Sequence, residues 1–221
     1  MRALVVVDYQ NDFVSGPLGG ADAAAIEGAV CARMEEYLGS GDPVFVTMDT
    51  HGPDYLSTRE GAMLPVPHCV RGTHGWMLAG RVEALARMDG CRIIEKGTFG
   101  CAELLEILRP FDEIELCGVA TNVCVLANAV IARTANPQAR VVVRRSCVAS
   151  YDPALGGEAL DVMGSLQVEV LRRRSGRLSL ILSALRTASM YLSCSASAAL
   201  RQSWHCSWQV CASALSLSAS S

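Results

Sequence analysis

Apolar runs rich in valine, isoleucine and leucine alternate with stretches of mixed polarity along most of this 221-residue chain. The short apolar runs predict β-strands, and the longer stretches between them predict helices. The predicted strands are 2–8, 43–48, 92–95, 113–119, 140–145 and 166–171, and the predicted helices are 21–38, 76–88, 101–109, 123–135 and 153–164. Strands that are apolar on both faces and alternate with helices are typical of a parallel sheet covered on both sides. We therefore predict an α/β fold, a single-domain three-layer α/β/α sandwich with a mostly parallel sheet.

The composition changes sharply near residue 170. All 22 acidic residues lie at or before Glu169, so residues 1–169 carry a formal charge of −9 and residues 170–221 carry +6. The last segment is rich in serine, its arginines are scattered, and its apolar runs are too short to span a membrane. We expect a folded domain over residues 1–171 and a disordered or non-native tail over 172–221, with neither nucleic acid nor membrane as a partner.

The N-terminus and the cysteines indicate the compartment. The chain enters a predicted strand at once, without the charged segment and cleavage site of an export signal. Its ten cysteines show neither the spacing of a disulfide scaffold nor a CxxC pair. We therefore expect reduced thiols and a cytoplasmic location.

Three chemically capable residues stand at the ends of predicted strands. Lys96 is the only lysine beside eighteen arginines, and it closes the third predicted strand. Asp8 ends the first strand, and Cys124 follows the fourth strand across a short turn. Near the first turn of a helix, the helix dipole favours a thiolate. Each residue alone could be structural, as a turn cap, a solvated charge or a buried thiol, but active-site groups of α/β proteins collect where these three stand.

The sequence around these residues resembles a known family. The segments VVDYQNDF (6–13), EKGTFG (95–100) and GVATNVC (118–124) are similar to motifs of the isochorismatase-like cysteine hydrolases, and within that family most similar to the nicotinamidases. The three motifs occur in the family's order, and the resemblance extends from about residue 2 to about residue 171. It implies the isochorismatase-like fold and an amidase.

The three residues can divide the work of amide hydrolysis. Cys124 can attack the amide, Asp8 can take its proton and return it to the leaving amine, and Lys96 can stabilise both negative charges. The family resemblance further implies an oxyanion hole made by the backbone amides of Ala120 and Cys124, with a cis peptide bond between Val119 and Ala120.

A second cluster of candidate residues predicts a metal site. Asp49 and His51 follow the second predicted strand two residues apart, so they can face the same way, and Glu60 and His68 lie in the loop that follows. Imidazole and carboxylate ligands suit zinc, our first choice, or iron or manganese. The stretch also resembles the metal-binding loop of bacterial nicotinamidases, which implies the ligands Asp49, His51, His68 and Glu60. His74 has no ligand counterpart there, and we interpret it as structural.

These observations predict a metal-dependent cysteine amidase that acts on a small aromatic carboxamide, nicotinamide above others. Phe13, Trp76 and Phe99 are candidates for the pocket wall, on position alone. Two alternatives stay open: another small-amide or carbamoyl hydrolase with the same triad, or a catalytically silent relative that only binds. We expect one divalent metal ion, a small-molecule amide as substrate and a homo-oligomeric state.

Overall fold

A six-stranded parallel sheet forms the centre of the protein. The computed structural model describes Met1–Leu171, so the predicted tail over 172–221 lies outside the described residues. The strands are β1 (Arg2–Val7), β2 (Val44–Asp49), β3 (Cys91–Lys96), β4 (Glu113–Val119), β5 (Arg140–Ala149) and β6 (Glu169–Leu171). Their order in the sheet is β3-β2-β1-β4-β5-β6, and every neighbouring pair is parallel. The predicted fold class is confirmed.

Helices cover both faces of this sheet. They are α1 (Asn11–Val14), α2 (Ala21–Ala25), α3 (Glu27–Gly39), α4 (Arg59–Met63), α5 (Gly80–Leu85), α6 (Leu104–Ile107), α7 (Leu126–Ala135) and α8 (Pro153–Ser165). A 3-10 turn at Tyr55–Ser57 precedes α4, and a π-helical turn at Thr121–Val125 precedes α7. None of these described helices combines the length and apolar character needed to cross a membrane.

Two apolar cores lie on opposite faces of β1, because successive side chains of a strand point to opposite sides. Ala3, Val5 and Val7 belong to the core that includes residues of α6, α7 and α8. Leu4 and Val6 belong to the second core, beneath α2, α3 and α5. All five side chains are fully buried, which explains why the sequence of β1 is continuously apolar rather than alternating.

The strand order creates a crevice at one edge of the sheet. The chain runs from β1 outward to β2 and β3, then returns to the other side of β1 to form β4. At such a switch point, the loops after two adjacent strands turn to opposite faces and leave a crevice at the carboxyl ends. The segments that follow β1 and β4 therefore form the natural place for a site.

Several helices are shorter than predicted. The predicted helix 21–38 is two helices that meet at Ile26, and 76–88 is helical only as α5. Before α5, Leu78 forms an antiparallel bridge with Gln10, which holds the chain extended. The predicted helix 101–109 is reduced to α6, and strand β5 continues four residues past its predicted end, to Ala149.

Candidate active site

Asp8, Lys96 and Cys124 meet at the carboxyl edge of the sheet. The Lys96 Nζ atom lies 2.7 Å from Asp8 Oδ2 and 3.8 Å from Cys124 Sγ. Asp8 is fully buried, and Lys96 and Cys124 are 7% and 6% exposed. Although β3 is two strands away from β1, the long lysine side chain extends across the end of β2 to reach the other two residues. An ammonium buried this deeply needs negative partners, and the carboxylates of Asp8 and Asp49 supply them.

The backbone holds Asp8 in an unusual conformation. Its φ of 47° lies in the left-handed region, which costs free energy for a residue other than glycine and often marks a functional position. Thr47 fixes the side chain, because its hydroxyl donates a 2.7 Å hydrogen bond to Asp8 Oδ1. Among the described residues, Oδ2 has no donor aligned for a full hydrogen bond, although Lys96 lies close. Oδ2 is therefore the oxygen available to accept a proton.

Burial and charge set the protonation of the three groups. Burial raises the pKa of the Asp8 carboxyl, and Lys96 opposes this shift. Burial also raises the pKa of the Cys124 thiol well above its usual value; Asp8 adds to the shift and Lys96 opposes it. Burial disfavours the charged form of Lys96, but Asp8, Cys124 and Asp49 together raise its pKa. Burial next to a carboxylate thus favours the neutral thiol in the resting site, in contrast to the thiolate expected from the helix dipole, and Cys124 needs a base.

A tight turn after β4 presents Cys124. The peptide bond between Val119 and Ala120 is cis, as the family resemblance implies. The carbonyl of Ala120 accepts hydrogen bonds from the amides of Val123 and Val125, both at 3.1 Å, which closes the π-helical turn around the cysteine. Ala120 and Cys124, whose amides were expected to form the oxyanion hole, both border the cavity described below.

The four expected metal ligands lie together. Asp49 at the end of β2, His51, Glu60 in α4 and His68 each offer one ligand atom, and these atoms all lie within 4.8 Å of one another. His51 Nε2 and His68 Nε2 lie 3.0 and 3.5 Å from Asp49 Oδ2. His68 Nδ1 lies 2.8 Å from the carbonyl of Val66, which turns Nε2 toward the cluster. Two imidazoles and two carboxylates are a donor set that suits a borderline divalent ion.

Asp49 connects the four expected metal ligands to the cluster of Asp8, Lys96 and Cys124. Its Oδ1 atom lies 3.1 Å from Lys96 Nζ, while Oδ2 faces the two histidines. Burial opposes ionisation of Asp49, but hydrogen bonds from His51 and His68, together with the charge of Lys96, lower its pKa below the usual range. His74 lies elsewhere and is exposed; its backbone carbonyl accepts a hydrogen bond from Asn11 Nδ2.

An apolar cavity of about 460 Å³ opens in front of Cys124. Its wall includes Phe13 and Phe99 together with Leu18, Leu64, Val123 and Tyr151, and Asp49, Glu60 and His68 border it on the metal side. Trp76 is not part of this wall, so the structure corrects its predicted role. Its indole nitrogen donates to Thr50 Oγ1 at 2.9 Å, and its side chain packs against the second core.

Three buried polar residues support the site and were missed in the sequence. Thr47 orients Asp8, as described above. Gln10 clamps the backbone of Asp49, because its Oε1 accepts from the Asp49 amide at 2.7 Å and its Nε2 donates to the Asp49 carbonyl at 2.9 Å. Asn128 donates to the carbonyl of Cys124 at 2.8 Å. Their only sequence signal is a polar residue within or next to an apolar segment.

Sequence comparisons with known proteins identify related proteins. A sequence model of the isochorismatase domain matches residues 2–175. The chain is 31% identical over 189 residues to a nicotinamidase/pyrazinamidase of Mycobacterium tuberculosis, covering 77% of this chain and 98% of that protein.

Solved structures give the same result. A nicotinamidase/pyrazinamidase from Bacillus subtilis superimposes with a TM-score of 0.68 at 29% identity, covering 76% of this chain and 98% of the other. A pyrazinamidase of Pyrococcus horikoshii, solved in complex with zinc, superimposes with a TM-score of 0.67 at 27% identity, covering 78% and 99%.

The chain therefore belongs to the isochorismatase family, as its fold and strand-end site already indicate. Within this family it falls in the nicotinamidase branch, and it is a hydrolase that acts on amides.

Proposed function

We propose that this protein is a metal-dependent cysteine amidase that hydrolyses nicotinamide to nicotinate and ammonia. One observation carries the proposal: Lys96 Nζ contacts both Asp8 and Cys124 directly behind an apolar cavity that Cys124 borders. A homo-oligomeric state and a cytoplasmic location are also part of the proposal.

The reaction would begin with transfer of the Cys124 thiol proton to Asp8 Oδ2. The sulfur then forms a bond to the amide carbon, and the amides of Ala120 and Cys124 donate hydrogen bonds to the carbonyl oxygen as it becomes negative. Asp8 returns the proton to the amide nitrogen, the C–N bond breaks and ammonia leaves. Asp8 then takes a proton from a water molecule whose oxygen attacks the thioester carbon; the C–S bond breaks, the acid leaves and Asp8 returns the proton to the Cys124 sulfur.

Lys96 would keep these steps electrostatically balanced. Proton transfer from Cys124 to Asp8 moves one negative charge from the carboxylate to the sulfur. Lys96 Nζ contacts both groups, so its ammonium stabilises the charge before and after the transfer without itself losing a proton.

One divalent ion would be held by Asp49, His51, Glu60 and His68. Zinc is our first choice, and iron and manganese are the alternatives. When bound, such an ion supplies a Lewis-acid contact for the ring nitrogen of the substrate. Asp49 and Glu60 would balance its charge, and Val66 would fix the orientation of His68 through its carbonyl.

The cavity wall favours an uncharged aromatic amide. In the part of the chain that the structure describes, no lysine or arginine side chain lines the cavity, whereas Asp49 and Glu60 border it. A carbamoyl substrate that carries a carboxylate would find no side-chain cation to pair with. Phe13 and Phe99 instead offer apolar surface for a flat ring.

Ammonia release from three compounds tests the substrate. We expect kcat/KM for nicotinamide to exceed that for benzamide, which lacks the ring nitrogen, by about tenfold or more, the value of one good polar contact. We expect no release from an N-carbamoyl amino acid. Fastest release from the carbamoyl compound would support the carbamoyl hydrolase instead, and no release from any small amide would support a silent binding protein.

The metal requirement has a separate test. Dialysis against a chelator should abolish activity, and one of zinc, iron or manganese should restore it. His68→Ala should lower the bound metal, measured by elemental analysis, whereas His74→Ala is the matched control and should retain it. Full activity in protein with no stoichiometric ion would contradict metal dependence.

A further inference from the structure

The side-chain amide of Asn128 forms hydrogen bonds, through both its nitrogen and its oxygen, to backbone groups near the proposed catalytic residues. It is fully buried, in the first turn of α7. Its Nδ2 donates to the carbonyl of Cys124 at 2.8 Å and to the carbonyl of Phe99 at 3.1 Å, and its Oδ1 accepts from the amide of Cys101 at 2.8 Å. Both amide hydrogens and the oxygen therefore have backbone partners.

These hydrogen bonds join two segments that are distant in sequence. Cys124 lies in the turn that carries the nucleophile, and Phe99 and Cys101 lie in the segment that follows Lys96 at the end of β3. The same two segments must be in register for Lys96 Nζ to stand 3.8 Å from Cys124 Sγ. The contact between Lys96 and Cys124 depends on a flexible lysine side chain. The hydrogen bonds of Asn128 instead link the two backbone segments directly.

Packing around Asn128 shows how closely the two segments approach. A Cβ atom added to Gly100 would lie 2.8 Å from Ile131 Cδ1 on α7. The apolar core includes the residues within about one helical turn of Asn128, namely Val125, Ala129 and Ala132. An apolar residue in this place would avoid the cost of burying an amide group, so the amide needs a reason beyond filling space.

We propose that Asn128 is a positioning residue that fixes the Cys124 sulfur relative to the Lys96 ammonium. It does not line the cavity, so it acts through the two backbone segments rather than on the substrate. The proposal rests on the proposed function, because it assigns Asn128 a part in the amidase reaction. Loss of the tether is expected to misalign the nucleophile and lower kcat while substrate binding is retained.

The test compares Asn128→Ala with Asn136→Ala. Asn136 caps the other end of α7 with the same chemistry: its Nδ2 donates to the carbonyls of Arg109 and Phe111, and its Oδ1 accepts from the amide of Gln138. It therefore controls for the loss of three side-chain hydrogen bonds to the backbone away from the site, at a less buried position. Nicotinamide kinetics are expressed per mole of folded protein. We expect kcat to fall about 10- to 100-fold in Asn128→Ala, with KM changed less than about threefold, and Asn136→Ala to keep both values.

A second readout needs no turnover. The rate of alkylation of Cys124 by iodoacetamide, resolved by peptide mass spectrometry, should fall in Asn128→Ala and not in Asn136→Ala, because a thiolate farther from Lys96 is less stabilised. This readout separates the two proposals: if nicotinamide is not the substrate, kinetics fail in every variant while the alkylation difference remains. Unchanged or faster alkylation in Asn128→Ala would overturn the positioning role.

Asn128→Ser tests whether the hydrogen bonds between the two segments matter, or only the bond to Cys124 within the same segment. It also replaces Asn128→Ala as the test if the alanine variant does not fold. Its one hydroxyl can donate to the carbonyl of Cys124, four residues earlier in the helix, but leaves the other two bonds unmade. We expect a loss of kcat similar to that of Asn128→Ala. Recovery of wild-type kcat in Asn128→Ser, or equal losses in Asn128→Ala and Asn136→Ala, would overturn the proposal.

Discussion

At the scale of single residues, the site depends on one buried cation shared by three partners. Lys96 Nζ lies 2.7 Å from Asp8 and 3.1 Å from Asp49, and it also contacts Cys124 Sγ. A compact ammonium can direct its donors toward three separate partners, whereas a guanidinium is a flat, rigid fork that suits a single planar partner. This explains why lysine is retained here in a chain that otherwise uses arginine.

Lys96→Arg should therefore not retain activity, although it keeps the positive charge. We expect a loss of kcat/KM on the order of a hundredfold, because the larger group displaces Asp8 or Cys124 from register. Lys96→Ala should lose activity similarly and also destabilise the fold by about 3–5 kcal/mol, since it leaves buried carboxylates unpaired. Steady-state kinetics and urea denaturation measure the two effects.

Arg71→Lys is the control, because Arg71 pairs with Glu95 in an exposed ion pair outside the site. It should change neither activity nor stability appreciably. Near-normal rates for Lys96→Arg would show that any positive charge suffices at this position.

At the scale of elements, the site depends on the close approach of β1 and β4. Gly118 in β4 has a φ of 109°, and a Cβ atom there would lie only 2.1 Å from the carbonyl oxygen of Val7. Only glycine fits this conformation and this space. The pairing sets Asp8, just after β1, beside the turn that carries Cys124.

Gly118→Ala should destabilise the protein by more than about 2 kcal/mol, because it combines a forbidden φ with a backbone clash. Gly157→Ala is the matched control: Gly157 lies inside α8 with no atom within 4 Å of an added Cβ. It should stabilise the protein by roughly 0.5–1 kcal/mol, since alanine favours a helix. Denaturation midpoints of the two variants would contradict this account if they moved in the same direction.

The strands and their ends could be predicted from the sequence better than the buried polar residues that hold the site in place. Continuous apolar runs mark buried parallel strands, so the positions of Asp8, Lys96 and Cys124 could be read directly. The break at Ile26 has no proline to signal it, and the nearest glycine, Gly28, lies within the first turn of α3. Gln10 and Asn128 were missed because most of their partners are tens of residues away in the chain, and a lone polar residue does not reveal which backbone groups it will contact.

At the scale of the whole molecule, the cysteines act together on stability. All seven cysteines of the described residues are free, and burial raises the pKa of each thiol. The unfolded chain loses these protons near the usual thiol pKa of about 8.5, whereas the folded protein loses them at a higher pH. The folded state thus binds more protons above that pH, and the free energy of unfolding must fall as the pH rises.

We expect the free energy of unfolding, measured under reducing conditions, to fall between about pH 8 and about pH 10, by up to about 1.4 kcal/mol per pH unit for each thiol that stays protonated. Cys117→Ala removes one fully buried thiol and should make this slope shallower. A free energy of unfolding that is constant over this range would contradict the predicted protonation of the thiols.

The catalytic unit is expected to end before the tail. Every proposed catalytic residue and metal ligand lies within the described residues, Met1–Leu171. A chain truncated after Arg173 should therefore keep kcat and bound metal per molecule close to those of the full chain. Loss of folding or of metal on truncation would move the domain boundary beyond the predicted residue 171.

The central claim is that Cys124 carries the acyl group during hydrolysis, and acid-quenched mass spectrometry tests it most directly. Protein mixed with nicotinamide and quenched during turnover should carry a nicotinoyl thioester on the peptide that contains Cys124. Cys124→Ser should fold normally, show no adduct and lose activity by about a thousandfold or more, because a hydroxyl is a far poorer nucleophile in a site built for sulfur. Turnover without an adduct on this peptide, together with near-normal activity in Cys124→Ser, would contradict the account.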